Sequence, residues 1–227
     1  MAVNEKFSGL VPELIDDWIF DINENLNLNV IERPWGNYIE VDNFWKHPEK
    51  IHEVSLRMPC IRLHGMYDVQ ENGQDYFDGR SYHYFSKPLV WHDALCDIIE
   101  KVYSVDYVTN QDLTLGNNIF TWNEKCYNEN KDMGYSPHID GHDIIACLWY
   151  MNPGDLYTEE DGTGIYAGNS IYKKQSPWIY NDKMVDKITA KYNRLVIYDG
   201  GVHHAALVGP KWIGKVRHSM VHFMHYK

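Results

Sequence analysis

The second half of the chain alternates short apolar segments with clusters of turn-forming residues, and this alternation restricts the possible folds more than any other feature. After residue 110 we predict seven strands, at 117–127, 135–139, 143–151, 164–168, 187–191, 194–198 and 217–226. Turn formers separate them, as in Asn152-Pro-Gly-Asp155 and Asp199-Gly-Gly201. Many short strands between such turns are typical of an antiparallel barrel or jelly roll. The sequence therefore predicts a mainly β fold with flanking helices.

The first 110 residues have a mixed pattern that predicts helices and a few strands around this β core. Apolar residues at helical spacing predict helices at 11–25, at 48–57 and in a segment that Ser86 and Pro88 open. Residues 38–44 have strand character, and residues 58–87 are expected to form strands with long loops of the kind that often form pocket rims. At 227 residues we expect one domain, in which 1–110 supports a core at 111–227.

Charge and cysteine content exclude several functions. The formal net charge of −11 opposes binding to phosphate backbones, although Lys211 to Arg217 is a short basic stretch, so no nucleic-acid partner is expected. The four cysteines form no Cys-x-x-Cys pair, which indicates reduced thiols and no zinc cluster. No apolar run has the length of a signal peptide or of a membrane span. We therefore expect a cytoplasmic protein without a membrane partner, in the host cytoplasm if its source is viral.

Two histidines and an aspartate occur in an order that suits a metal site. His138 and Asp140 lie two residues apart, so on a strand both side chains point to the same face. A second imidazole comes from His203 or His204, and because these two are adjacent, only one of them can face the same ion. Two neutral imidazoles and a carboxylate are the protein ligands of non-haem iron(II) sites that keep three positions open. The alternative is a solvated strand end with a His–Asp hydrogen bond.

The last predicted strand offers a pair of side chains that suits a carboxylate. Arg217 and Ser219 are again two residues apart, which places a guanidinium and a hydroxyl side by side. A planar guanidinium binds a carboxylate through two parallel hydrogen bonds, and the hydroxyl can add a third. We expect this pair to bind one end of a dicarboxylate cosubstrate. The alternative is a salt bridge on an edge strand.

Together these motifs resemble the double-stranded β-helix core of the iron(II)/2-oxoglutarate-dependent oxygenases, in particular the prolyl-hydroxylase-like branch of phage and bacterial type. The resemblance covers residues 117–227. Its motifs are Cys126-Tyr127, Tyr135-Ser-Pro-His-Ile-Asp140, Leu148-Trp-Tyr-Met-Asn152, Gly162-Thr-Gly-Ile-Tyr166, Tyr192-Asn-Arg-Leu-Val-Ile-Tyr198, His204 and Arg217-His-Ser219. The chain departs from the pattern in two ways: its gap between His204 and Arg217 is longer than in many prolyl hydroxylases, and its N-terminal half is closer to poorly characterised members.

The resemblance implies a role for each candidate residue. The iron(II) ligands would be His138, Asp140 and His204. The 2-oxoglutarate-binding residues would be Arg217, Ser219 and Tyr127, the last of these on the first core strand. In the family a small residue commonly follows the distal histidine, which favours His204 over His203. No catalytic side chain beyond the metal site is implied.

The activity implied by the resemblance is hydroxylation of a C–H bond, in which O2 is consumed and 2-oxoglutarate is converted to succinate and CO2. The substrate would be a prolyl or other protein side chain, or a small molecule. Related halogenases have a small residue in place of the aspartate, so Asp140 favours hydroxylation. Two other functions stay open. A cupin-like metalloenzyme that does not use 2-oxoglutarate would form no succinate, and a noncatalytic β-barrel binding module would bind no iron.

Overall fold

The computed structural model describes residues 16–58, 61–62, 77–85, 88–103, 107–108, 114–130, 135–167 and 183–226. Its helices are α1 (Pro48–Arg57), α2 (Val90–Tyr103) and α3 (Glu124–Asn130), with short 3-10 helices at Asp17–Phe20 and Pro210–Trp212. Its strands are β1 (Leu28–Ile31), β2 (Tyr38–Val41), β3 (Ile61–Arg62), β4 (Phe77–Tyr84), β5 (Tyr107–Val108), β6 (Thr114–Thr121), β7 (Tyr135–His138), β8 (Ile144–Tyr150), β9 (Gly162–Ala167), β10 (Lys183–Thr189), β11 (Arg194–Asp199), β12 (His204–Leu207) and β13 (Val216–Tyr226). The described chain is therefore mainly β.

The described strands form two sheets in which neighbouring strands are antiparallel. The larger sheet has the order β1-β2-β11-β8-β13-β6-β4-β3, with β5 paired to the end of β13. The smaller sheet has the order β10-β9-β12-β7. Since β1 to β4 come from the first 110 residues, the N-terminal part extends the larger sheet as well as supplying helices.

The central strands of the larger sheet are buried on both faces. On one face α1 and α2 pack against it, and Ile51 and Trp91 of these helices share an apolar cluster with Met220 of β13. On the other face the smaller sheet packs against it, and Tyr150 of β8 shares a second cluster with Ile165 of β9. The central strands therefore present alternate side chains to two different cores.

This alternation decides where the side chains of β13 point. Met220 faces the helices, and residues an odd number of positions away face the opposite side of the sheet. Arg217 and Ser219 therefore face the space between the two sheets, whereas His218 faces the helices. The predicted placement of Arg217 and Ser219 side by side on the last strand is confirmed.

Two of the three predicted helices are confirmed. The helix predicted at 48–57 is α1, and Pro48 occupies its first turn, where a missing backbone N–H costs nothing. The helix opened by Pro88 is α2, whose apolar stripe is buried. The helix predicted at 11–25 is wrong in its described part, because residues 17–20 form only a 3-10 turn and Ile22 then makes an isolated bridge to Trp45. Residues 11–15 lie outside the described residues.

The strand predicted at 117–127 is wrong at its C-terminal end. β6 ends at Thr121, and α3 begins at Glu124 with the Tyr127 N–H donating to the Asn123 carbonyl at 3.0 Å. Tyr127 therefore lies on a helix and not on the first core strand. The six other predicted strands correspond to β7, β8, β9, β10, β11 and β13, but β12 was not predicted.

The region at 58–87 contains the predicted strands, since β3 and β4 fall within it. The long loops predicted within 58–87 fall mainly at 63–76, outside the described residues. Within the part of the chain that is described, no helix combines the length and the apolar character that a membrane crossing requires.

Candidate functional site

The structure brings three of the predicted site residues together. Nε2 of His138 lies 3.4 Å from Oδ1 of Asp140, and Nε2 of His204 lies 3.5 Å from Oδ2 of the same carboxylate. The two imidazole rings are 4.5 Å apart between centroids. Among the described residues, these are the only three whose potential ligand atoms all lie within 4.8 Å of one another.

Strand pairing in the smaller sheet places the two histidines opposite each other. His204 is the register partner of His138 in the β12–β7 pair, and it is also the partner of Ile165 in the β12–β9 pair. Directly opposite residues of an antiparallel pair point to the same face. Both imidazoles therefore face the larger sheet, at a position that is set by the backbone ladder.

Asp140 reaches the same point from just beyond the end of β7. Its backbone N–H donates to the Gly200 carbonyl at 2.8 Å, and the Gly200 N–H donates to the Ile144 carbonyl at 2.8 Å. A Cβ on Gly200 would lie 3.0 Å from the Ile144 carbonyl oxygen and 3.2 Å from the Asp140 Cβ. A glycine at position 200 thus allows the two loops to approach closely enough for Asp140 to face the histidines.

His204 is held in the form that a metal requires. Its Nδ1 lies 2.9 Å from the Val202 carbonyl, which can only accept a hydrogen bond, so the proton is on Nδ1 and the lone pair is on Nε2. Burial lowers the pKa of His204 to about 4, against the opposing effect of the Asp140 carboxylate. The imidazole is therefore neutral near pH 7, with its free lone pair directed at Asp140. Such a carbonyl partner is the usual support of a metal-binding histidine.

The structure distinguishes the two adjacent histidines. His204 begins β12 and is buried, whereas His203 precedes the strand and is only half-buried. The His203 carbonyl accepts a hydrogen bond from the backbone N–H of Tyr166 at 3.0 Å. The geometry therefore selects His204 as the imidazole that faces His138 and Asp140.

Arg217 lies in a buried aromatic environment on the larger sheet. The residue is 3% exposed, and its guanidinium carbon lies 5.1 Å from the ring centroid of Phe120 and 6.0 Å from that of Tyr150. The buried Nε has no hydrogen-bond partner among the described residues. Because β13 lies between β8 and β6, Arg217 is not on an edge strand, which argues against the alternative of an edge salt bridge.

Tyr150 connects this arginine to the sheet that bears the histidines. Its hydroxyl lies 2.8 Å from Oγ1 of Thr163 on β9, so the two sheets meet beside Arg217. Thr163 is two residues from Ile165, the register partner of His204. Two strand residues span about 7 Å. The guanidinium and the His-Asp-His group therefore face the same space between the sheets.

The other two predicted cosubstrate residues lie near this space in different ways. Ser219 is buried on the same face of β13 as Arg217 and pairs with Tyr150 in the ladder. Tyr127 lies on α3 and not on a strand. Its side chain packs against an apolar cluster that includes Phe120. The sequence motifs did not predict Tyr150, Thr163 and Phe120 as neighbours of the site, although Tyr150 and Thr163 lie within those motifs. Only pairing over long sequence distances brings their side chains to Arg217.

Comparisons with known proteins give likenesses to solved structures, two of which are described below. No protein-family model matches the chain, and no curated protein matches it. A prolyl-4-hydroxylase from Pseudomonas putida aligns with a TM-score of 0.36 and 13% identity, over 67% of this chain and 73% of that one. An oxidoreductase of the 2OG-Fe(II) oxygenase family from Burkholderia pseudomallei aligns with a TM-score of 0.41 and 11% identity, over 83% and 84%.

Proposed function

We propose that this chain is an iron(II)/2-oxoglutarate-dependent oxygenase, built on a double-stranded β-helix, that hydroxylates a C–H bond. The proposal rests on one observation above all. Two imidazoles and a carboxylate converge at one point between the sheets, and a buried guanidinium with an unpaired Nε faces the same space. We propose further that O2 is the second cosubstrate and that succinate and CO2 are the coproducts.

The donor set of the converging residues fits iron(II). Two neutral imidazoles with one carboxylate form a three-ligand face that leaves other positions open, and this set is typical of non-haem iron oxygenases. His204 is buried while His138 is 40% exposed in its side chain, so one flank of the group stays accessible. That asymmetry supports a site in which the substrate approaches from the side of His138.

The surroundings of Arg217 fit the remote carboxylate of 2-oxoglutarate. A buried donor of a charged group is expensive to leave without an acceptor, as Nε of Arg217 is within the described part of the chain, and a bidentate carboxylate is the partner that matches a guanidinium. Phe120 and Tyr150 flank the guanidinium and exclude water, which strengthens a charge-assisted hydrogen bond. A dicarboxylate bound here would reach from Arg217 toward the His-Asp-His group, with Ser219 as a further donor.

In this proposal the residues of the chain bind, orient and shield, while bound iron with 2-oxoglutarate supplies the oxidising chemistry. His138, Asp140 and His204 hold the metal on one face. Arg217 fixes the direction of the cosubstrate, and the Tyr150–Thr163 contact closes the space beside it. The substrate we propose is a prolyl or other protein side chain, or a small molecule that enters on the exposed side of His138.

The test is to add iron(II) and 2-oxoglutarate to the protein without oxygen and to measure the visible metal-to-ligand charge-transfer band. We expect a band that is lost in His138→Ala. In Arg217→Ala, the loss of a bidentate contact of about 3 kcal/mol should weaken 2-oxoglutarate binding by roughly 100-fold. Arg194→Ala is a matched control, because that arginine is paired with Glu40 and Asp42 instead.

Each failure of this experiment has a distinct meaning. Iron binding without a band, and without succinate formation, would favour a cupin-like metalloenzyme that does not use 2-oxoglutarate. A folded protein that binds no iron would favour a noncatalytic binding module. A band that is equally weak in Arg217→Ala and Arg194→Ala would remove Arg217 from the cosubstrate site.

A further inference from the structure

We propose that Asn152 is a positioning residue for Arg217, because its side-chain amide holds the backbone on both sides of that arginine. Nδ2 of Asn152 donates to the Val216 carbonyl at 2.9 Å, and Oδ1 accepts from the His218 N–H at 2.6 Å. The inference rests on the proposed function, since it gives the amide its role through the binding of 2-oxoglutarate by Arg217.

The amide lies where the ladder between two strands ends. β8 pairs with β13 only as far as Tyr150, which is opposite Ser219. Beyond that pair, the Met151 N–H still donates to the His218 carbonyl at 3.1 Å, and the chain then turns away toward β9. The His218 N–H and the Val216 carbonyl would be left without strand partners on this side, and Asn152 supplies both.

The spacing of the two contacts singles out the residue between them. In an antiparallel strand, alternate residues direct their backbone groups to opposite neighbours. Val216 and His218 face the β8 side, so the backbone groups of Arg217 face its partner Phe120 on β6. The amide of Asn152 therefore fixes the two peptide units that flank Arg217, and these units set the direction of its side chain.

A small error in the backbone would be amplified at the guanidinium. An arginine side chain reaches roughly 7 Å from its Cα, so a 10° twist of the strand moves its tip by about 1 Å. Binding geometry must be held within about 0.5 Å and 10–20° to be productive. The cosubstrate contact would therefore lose affinity even if the arginine stayed buried.

Asn152 is itself held in one orientation. It is 4% exposed, and its backbone N–H donates to the Tyr157 hydroxyl at 3.2 Å. The Tyr157 ring packs edge-on against Tyr150, with centroids 5.8 Å apart, and against Trp212 at 5.3 Å. The amide offers a donor and an acceptor on two separate atoms, whereas a carboxylate has no donor and an apolar group has neither.

The chain contains a matched amide that clamps backbone elsewhere. Oδ1 of Asn193 accepts from the Trp45 N–H at 2.9 Å, and its Nδ2 donates to the Trp45 carbonyl at 2.8 Å. Asn193 is 5% exposed, like Asn152, but it lies at the turn before β11. Its φ is +58°, so glycine is the substitution that removes the amide without straining the backbone.

The experiment measures equilibrium binding of 2-oxoglutarate and of the metal, with Mn(II) in place of iron so that no turnover is needed. For Asn152→Ala we expect the Kd for 2-oxoglutarate to rise about 10- to 100-fold while the Kd for Mn(II) changes less than about twofold. Tyr157→Phe removes a single hydroxyl, so it should fold and raise the 2-oxoglutarate Kd about three- to fivefold. Asn193→Gly should leave both constants within about twofold.

Three results would overturn the inference or its basis. Unchanged 2-oxoglutarate binding in folded Asn152→Ala, or in Tyr157→Phe if the first variant does not fold, would show that the amide does not position Arg217. Equal losses in Asn152→Ala and Asn193→Gly would show a general effect of stability. Normal binding in Arg217→Ala would reject the proposed cosubstrate site itself.

Discussion

Two groups of histidines lie in different layers of the molecule and behave differently. The inner group, His138 and His204, lies between the two sheets beside Asp140. The outer group lies between the larger sheet and the helices and consists of His52, His83, His92, His218 and His222. Both groups contain neutral, buried imidazoles, so burial alone does not mark a functional site.

In the outer group, His218 uses both of its ring nitrogens. Asn117 directs its Nδ2 toward Ser81 at 3.3 Å, so its Oδ1 accepts from Nε2–H of His218 at 3.1 Å. The remaining Nδ1 of His218 must then accept from Nδ1–H of His52, at 2.9 Å. No lone pair of His218 is left for a metal.

His222 of the outer group is closer in character to His204. Its Nδ1 lies 2.8 Å from the Thr114 carbonyl, and burial lowers its pKa to about 4, as for His204. Among the described residues, however, His222 is not part of any group of three converging ligand atoms. A carboxylate and a second imidazole facing the lone pair therefore distinguish a candidate metal ligand from a structural histidine.

Replacing one histidine in each group tests whether only the inner group binds iron(II). We expect His138→Ala to abolish measurable iron(II) binding, because one of the three proposed protein ligands is lost. His218→Gln should retain iron affinity within about twofold, since the outer network makes no contact with the metal site. Anaerobic titration with iron(II) measures both, and equal losses in the two variants would show that the groups are not separate.

The next effect concerns pH and the outer group. Burial lowers the pKa of His83 and of His222 to about 4, while the unfolded chain titrates near 6.5. Between these values the unfolded state binds more protons, so the free energy of unfolding falls as pH decreases from 6.5 to 4. Each of these two histidines should lower the free energy of unfolding by about 3 kcal/mol over this range.

Urea unfolding at several pH values between 7 and 4 checks this expectation. The neighbouring His92 and His218 also have pKa values that burial lowers, so they steepen the same trend. His83→Gln should make the free energy of unfolding less dependent on pH, because the contribution of one histidine is removed. Stability that stays constant over this range would mean that the outer histidines are not buried as described.

A smaller effect should come from the half-exposed end of the outer network. His52→Ala leaves the Nδ1 of His218 without its donor, and an unsatisfied buried acceptor costs about 1–2 kcal/mol of folding free energy. The affinities for iron(II) and 2-oxoglutarate should not change. A comparison of the denaturation midpoint with the two binding constants tests this separation, and weaker binding at unchanged stability would contradict it.

Residue patterns predicted most of the strands and identified the three residues that the structure brings together as a possible metal site. The i, i+2 spacings of His138 with Asp140 and of Arg217 with Ser219 are local, so the sequence displays them directly. β12 was missed because its four residues, His204–Leu207, have no β-branched side chain and resemble a loop. Its strand character comes from pairing with β7 and β9.

Other features depended on contacts that the sequence does not display. Asn123 and Glu124 suit the first positions of a helix, but the apolar run before them made 117–127 look like one strand. The family resemblance placed Tyr127 on that strand. Tyr150 meets Thr163, and Asn152 meets residues near 217, only because the sheet folds back over 13 and about 65 positions.

The register pair of His138 and His204 also sets when the candidate site forms. These residues are 66 positions apart, and closing a loop of that length costs about 4 kcal/mol of chain entropy. The three ligands therefore assemble only after β7 and β12 have paired, which is a late event in a chain of high contact order. A metal that needs the completed pair cannot nucleate folding, so its binding should slow unfolding and leave the folding rate unchanged.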